Sequence, residues 1–343
     1  MHIEHNLSLL PYNTFAIDVC ADTAVFYGGQ DELSELIRTS LHTLPKPLLH
    51  IGSGSNLLFM NDFGGTVLIS EIKDVCVLSY EEDNVVVRVG AGWVMDDFVS
   101  YAVGQGWHGL ENLSGIPGQT GAGAVQNIGA YGVELGDCVR AVNCISLEDG
   151  TPRTFMHEEC SYAYRYSIFK SPEYRGRYAV VSVDFCLRIA FVPNVDYGGI
   201  RQNIDAAGKD VETVSAAELR EIIIRIRNSK LPDPKVLGNA GSFFMNPIVE
   251  RSVYERIMAD YPRVPGYSVG DDKVKIPAAW LIEQCGWKGK SLGKAGVHAS
   301  QPLVLVNLGN ACGNDICALS ARIQADVYEK FGIGIRPEVN FIR

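Results

Sequence analysis

The sequence runs to 343 residues, 47% of them hydrophobic and 20% charged, with 40 acidic against 30 basic side chains and a formal net charge of −10. Those figures exclude a disordered chain and argue against a broad nucleic-acid or anionic-membrane binder, which would carry an excess of Lys and Arg on one face. The length points to two or three domains, and any anionic ligand must be met by a few locally placed basic groups.

The opening MHIEHNLSLLPYNTF has no basic cap leading into an apolar core, so it does not read as a signal peptide. No run approaches the roughly 18 apolar residues of a membrane span. Nine scattered cysteines without a CxxC pair read as reduced thiols of a cytoplasmic protein. The seven histidines form neither HExxH nor HxxxH, and no metal site is expected.

Residues 31–38 fit a short helix, followed by strand-like runs at 47–51 and 66–70. Between those runs, GSGSNLL at 52–58 supplies small residues whose N–H groups can form an anion nest. It is not a Walker loop, which needs Gly-Lys-Ser/Thr. Nor is it the dinucleotide fingerprint, because Leu57 stands where the third glycine belongs. An ordinary tight turn accounts for the loop equally well. A strand at 85–89 and a helix at 93–103, with Gly104 past its end, come next.

Ten of the 35 glycines fall between 104 and 136. Such density in a stretch poor in Ser and Asp indicates backbone that turns tightly or approaches something closely. Within LSGIPGQTGAGAVQNIGAYG at 113–132, the glycines with Ser114, Thr120 and Asn127 can cradle a pyrophosphate and pack on a flat cofactor; a set of bulges and turns is the alternative. YAYRYSIFK at 162–170 reads as a strand with Tyr162, Tyr164, Tyr166 and Ile168 on one side and Arg165 and Ser167 on the other. A guanidinium beside hydroxyls suits a carboxylate clamp, and equally a snorkelling surface arginine. Residues 178–188 alternate as a strand with one more polar face.

Ser215 and Glu218 form a capping box opening a helix that cannot pass Pro232. In NSKLPDPKVLGNAGSFFMNP at 228–247, Ser242 follows Gly241 and precedes two phenylalanines. No glycine follows two positions on, so this is not a nucleophile elbow. A serine held rigidly in apolar surroundings can donate a proton, whereas the bland reading is a turn serine satisfied by backbone. Pro277 and Gly286 bracket a further helix. Ile316, Leu319, Ile323, Val327 and Phe331 make one helical stripe closed by Gly332. The region 214–333 reads as a separate α+β unit, with a final strand at 338–342. Glu338, among apolar neighbours, is expected to be exposed or to have a raised pKa.

Taken in order, GSGSNLL, GIPG with NIGAYG, YRYSIFK, LPDPKVLGNAGSFFMNP, IPAAWLIEQCGWKG and PEVNFI resemble the UDP-N-acetylenolpyruvoylglucosamine reductase (UDP-N-acetylmuramate dehydrogenase) family, from about residue 11 to the C-terminus. The resemblance implies an α+β fold: a two-part FAD-binding module of the vanillyl-alcohol-oxidase type at 1–72 and 73–213, a substrate domain at 214–333, and a tail, 334–343, returning to the first part. It implies noncovalent FAD, NADPH as co-substrate, a UDP-sugar enolpyruvyl ether as substrate, a monomer, and no nucleic-acid or membrane partner. Arg165, Ser242 and Glu338 would be catalytic. FAD would lie on Gly52, Ser53, Gly54, Ser55, Asn56 and Leu57, then on Ser114, Gly115, Ile116, Pro117, Gly118, Thr120, Gly121, Gly123, Asn127, Gly129, Ala130 and Tyr131. Substrate would meet Lys230, Asn246, Gln301 in HASQP, and Tyr197, which in VDYGGI resembles the lid tyrosine of the longer family subtype. Within the resemblance, another FAD oxidoreductase of the same fold acting on a different alcohol or sugar stays open, and the phosphate-like loops alone leave open a nonredox nucleotide-sugar binder or transferase.

Overall fold

A computed structural model describes residues 1–197 and 199–343. The chain forms two compact units. The first comprises Met1–Leu7, Ala21–Ser53 and Gly64–Ser229; the second comprises Ser8–Cys20, Gly54–Phe63 and Lys230–Arg343.

In the first unit, a four-stranded sheet runs in the order His2–Ser8, Cys20–Tyr27, Phe63–Ser70, Leu48–Ile51, the last two parallel. Helix Gln30–Ser40 has Asp31 and Glu32 in its first turn and Arg38 in its last, matching its dipole. It buries Leu33, Leu36 and Ile37 against Val25, Leu68, Ile145 and Val181. A five-stranded antiparallel sheet follows, in the order Pro152–Met156, Val139–Ser146, Tyr178–Arg188, Asn84–Gly90, Val75–Tyr80. Val85, Val87, Val89, Val183, Phe185 and Leu187 enter its core.

The alternating strand 178–188 is present, but its polar face is not simply solvated. Ser182 and Asp184 are buried. Arg88 grips Asp184 bidentately at 2.7 and 2.8 Å, and Asn143 donates to Asp184 at 3.0 Å and to Ser182 at 3.1 Å. A buried carboxylate is tolerable because its lone pairs are filled by a cation and an amide.

The second unit holds a four-stranded sheet, in the order Asn239–Ser242, Val304–Asn307, Ala295–Val297, Ser291–Leu292, and a three-stranded one of Ile248–Glu250, Lys273–Lys275 and Tyr267–Val269. Helix Gly313–Phe331 buries the expected stripe, and Gly332 closes it in the left-handed conformation at φ 68°. The final strand is Asn340–Ile342, parallel to Leu57–Phe59.

Residues on both sides of 72/73 lie in the first unit, and its last segment ends at Ser229. Helix Ala216–Lys230 is held in that unit by its apolar face. Leu219, Ile222, Ile223 and Ile226 close a small core with Val195, Ile200 and Ile204, which the sequence pattern did not assign to any partner.

Candidate active site

The glycine-rich segment belongs to the first unit. Gly121 donates its N–H to the Ala91 carbonyl at 3.1 Å, and a Cβ there would lie 2.7 Å from that of Ala91. At Gly52 a Cβ would come within 2.9 Å of Gln119 Oε1 and 3.3 Å of Ala122. At these two glycines the absence of a side chain lets segments of the protein pack closely on one another.

The polar side chains of the segment are committed as well. The fully buried Ser114 hydroxyl donates to the Glu111 carbonyl at 2.6 Å, and Thr120 to that of Gly90 at 2.7 Å. Asn127 ends helix Thr120–Gln126 in the left-handed conformation. Its amide donates to Glu134 and the Ala163 carbonyl and accepts from the Gly136 N–H. These three side chains thus hold the backbone of the segment in place.

Gly115 and Gly118 carry positive φ, 71° and 124°. A Cβ at Gly115 would sit 3.3 Å from Arg227 Cδ and Nε. Arg227 is half-buried, its buried Nε has no hydrogen-bond partner among the described residues, and burial lowers its pKa while Tyr131 and Asp96 act against that. A guanidinium with a buried, unfilled donor beside a glycine turn is a fit for an anionic group, since leaving a buried donor unmade costs about 1–3 kcal/mol. Sequence reading missed Arg227: the only signal was an arginine inside an otherwise apolar helix face.

Arg165 does not lie on a strand. Ala163 and Tyr166 exchange backbone bonds across a two-residue turn in which Arg165 takes φ 54°. That second position usually falls to Gly or Asn, so an arginine there is strained. Lys170 Nζ holds the Arg165 carbonyl at 2.7 Å and Gln126 at 3.0 Å, while Arg165 Nη2 donates to the Gly129 carbonyl at 2.8 Å. The turn thus brings Arg165 onto the glycine-rich segment. Tyr197 is 47% exposed, and its Cβ lies 3.4 Å from where one would stand on Gly132.

In the second unit, Ser242 closes strand Asn239–Ser242. Opposite Val304–Asn307, Asn239 pairs with Val306 and Ser242 with Val304, so the strand carries one extra residue. Gly241, at φ 66°, sits in that bulge, and bulges re-aim the side chain that follows. Ser242 itself is exposed, whereas Phe243 and Phe244 are buried to 0% and 1%. The apolar surroundings expected for the serine therefore belong to its neighbours: the next two side chains anchor the chain, and the hydroxyl stays outside.

Past Ser242 the chain takes new partners. Phe243 N–H donates to Leu303, while its carbonyl accepts from Glu338 N–H at 2.8 Å, and Met245 N–H donates to Arg336. The half-buried Glu338 is thus placed one backbone pair from Ser242. Asn56 ties the tail from its other side, donating to the Glu338 carbonyl and accepting from Asn340 N–H at 3.0 Å. Gly54 lets this happen: at φ 63°, a Cβ would stand 1.9 Å from the Tyr12 carbonyl oxygen. Gln301 lies in the loop before Leu303 and accepts from its N–H at 3.4 Å. Asn246 Oδ1 caps helix Ala278–Gln284 through the Ala278 N–H at 2.9 Å. Lys230 is exposed at the end of helix Ala216–Lys230.

The buried thiols are chemically quiet. Burial pushes Cys138 up to about 12 and Cys160 up to about 11, far from a thiolate at neutral pH.

The chain matches two family models: an FAD binding domain over residues 21–155 and the UDP-N-acetylenolpyruvoylglucosamine reductase C-terminal domain over 233–342. It is 52% identical over 340 residues to the UDP-N-acetylenolpyruvoylglucosamine reductase of Bacteroides fragilis, covering 99% of this chain and 100% of that one. Against the same-named protein of Porphyromonas gingivalis, identity is 44% over 342 residues and coverage is complete on both sides. A crystal structure of the Thermus caldophilus enzyme of that name aligns over both full chains with a TM-score of 0.65 at 22% identity, so the fold is shared. With full-length identity at this level on top of the domain matches, the chain belongs to the UDP-N-acetylenolpyruvoylglucosamine reductase family.

Proposed function

We propose that the chain reduces UDP-N-acetylglucosamine enolpyruvate to UDP-N-acetylmuramate, with Ser242 as proton donor and Arg165 and Glu338 acting on the substrate carboxylate. As a member of its family it is an FAD-dependent oxidoreductase of peptidoglycan precursor synthesis, with NADPH as co-substrate. FAD, when bound, would supply the hydride chemistry that links NADPH to the vinyl carbon of the substrate. Noncovalent binding to the loops at 52–57 and 114–131 is supported by the positive-φ glycines and by Arg227 with its unfilled donor.

The observation that carries the reading is the junction at Ser242. A bulge with a left-handed glycine turns the hydroxyl outward, two buried phenylalanines fix it, and the tail bearing Glu338 is bonded to the adjoining residue. Hydride arrival leaves negative charge on the neighbouring carbon and its carboxylate. An alcohol is a weak acid and protonates that carbon only because the target is very basic and the geometry fixed. Arg165 stabilises the carboxylate as a charge-assisted partner, and Glu338 in its protonated form hydrogen-bonds the same group. Lys230, Asn246 and Gln301 hold the uridine diphosphate portion, and Tyr197 closes on it. The division into FAD-binding parts at 1–72 and 73–213 and a substrate domain at 214–333 belongs to this reading. So do the monomeric state and a cytoplasmic location. Among the described residues no helix is long and apolar enough to cross a membrane.

An anaerobic titration tests the proposal. NADPH is expected to bleach the visible flavin bands of the purified chain, and the enolpyruvyl substrate to restore them. Bleaching without restoration would refute the substrate assignment.

A further inference from the structure

The turn between the short strands Gly129–Ala130 and Val133–Glu134 has two residues, Tyr131 and Gly132, both at positive φ, 50° and 81°. Such a turn ordinarily takes Asn, Asp or Gly at its first position; a tyrosine there is strained and persists only where its surroundings over-determine it. Those surroundings are visible. The Tyr131 ring packs on the small core of Val195, Ile200 and the helix Ala216–Lys230. The Tyr131 carbonyl accepts an amide hydrogen of Asn112 at 2.8 Å. The same Asn112 nitrogen donates to the Asn194 carbonyl at 2.9 Å, three residues before Tyr197. Asn112 is 3% exposed, so its amide is held away from water while it reaches a half-buried and an exposed segment. On its other side, Gly132 lies against Asn194 and Tyr197.

We propose that Asn112 is a positioning residue that clamps the Tyr197 segment to the strained Tyr131–Gly132 turn at the end of the FAD loop, so that the turn fixes where Tyr197 meets the nucleotide-sugar. The proposal deepens the function above and rests on its reading of Tyr197 as a substrate residue. One amide serves two carbonyls from segments 19 and 82 residues away in sequence. Loss of its donors frees both segments at once.

Asn112→Leu keeps the shape and removes the donors. In the FAD-loaded chain, KM for the enolpyruvyl substrate is expected to rise about tenfold, the equivalent of two modest hydrogen bonds, with flavin bleaching by NADPH changed less than about twofold. Combined with Tyr197→Phe, the two effects on KM should be less than additive, because the first acts through the second. Hydrogen exchange supplies a readout independent of turnover. Amides of 129–134 and of 194–197 should speed up together in Asn112→Leu. Unchanged exchange, acceleration of only one segment, or a loss of NADPH bleaching equal to the KM effect would overturn the clamp. If Tyr197→Phe alone leaves KM unchanged, the reading of Tyr197 fails, and the exchange experiment still decides the clamp. Should Asn112→Leu not fold, Asn112→Ser, with one shorter donor, must show the same paired acceleration in smaller degree or the proposal falls.

Discussion

Two regions carry the site residues, and they are built in opposite ways. Between 114 and 132 nearly every polar side chain is consumed by the protein itself: Ser114, Thr120 and Asn127 all end on backbone carbonyls or neighbouring side chains. What remains for a ligand is backbone shaped by glycine. Around Ser242 the backbone is consumed, by strand 304–307 on one side and the tail on the other, and the side chains of Ser242 and Glu338 project from it. The first arrangement suits holding an extended anionic cofactor through N–H groups. The second suits delivering one proton at one atom.

The sharpest way to break that contrast is Ser242→Ala. It should lower the substrate half-reaction by roughly 10² to 10⁴, the range of a general acid, while NADPH still bleaches the flavin. Stopped-flow measurement of each half-reaction checks it, and normal reoxidation would remove Ser242 from the chemistry. Next in size is Gly54→Ala. Its Cβ would meet the Tyr12 carbonyl oxygen at 1.9 Å in a left-handed conformation, so backbone must move. A loss of about 3 kcal/mol in urea unfolding is expected.

Acidification tests the first region's frame. Burial lowers the His50 pKa to about 4, and the Tyr27 hydroxyl lies 2.7 Å from its Nε2. The folded chain refuses a proton that the unfolded chain accepts below about 6.5. Unfolding free energy therefore falls as pH drops from about 6.5 and levels off below about 4, by roughly 2 kcal/mol for this partly covered ring. Thermal melts of the wild type and of His50→Gln across that range check it: the variant's Tm should depend less on pH.

Much of the fold was legible because it rests on local signals. The capping box at Ser215 and Glu218 forms as written, and the stripe from Ile316 to Phe331 is buried and ends at Gly332. What failed did so for non-local reasons. Alternation of tyrosines at 162–168 has strand periodicity, yet Lys170 holding the Arg165 carbonyl folds it into a turn, a bond no pattern displays. Glycine density signals close approach without naming the neighbour, and at Gly121 one such neighbour is Ala91, which only the packed chain reveals. Asn112 escaped notice because its partners lie 19 and 82 residues away, and Arg227 because only packing shows its Nε to be buried without a hydrogen bond among the described residues.

A smaller substitution sharpens the first half of the contrast. Thr120→Val retains the shape and removes the donor to the buried Gly90 carbonyl. It should cost about 1–2 kcal/mol of stability. FAD affinity, followed by flavin fluorescence, should stay unchanged once the chain is folded. A variant of unaltered stability but weakened FAD binding would mean that the Thr120 hydroxyl serves the ligand after all.

The smallest expected effect on stability bears on the second half. Gly241 has φ 66°, and a Cβ there would meet nothing within 4 Å. Gly241→Ala therefore carries only the left-handed penalty, about 1 kcal/mol, with no clash to relieve. Any relaxation must rotate the bulge, and the residue that rotates with it is Ser242. The prediction is a few-fold slower flavin reoxidation by substrate, unchanged reduction by NADPH, and a Tm lowered by a few degrees at most. If reoxidation is unaffected despite that loss, the bulge shapes the strand without aiming the proton donor, and the backbone on this side is scaffold alone.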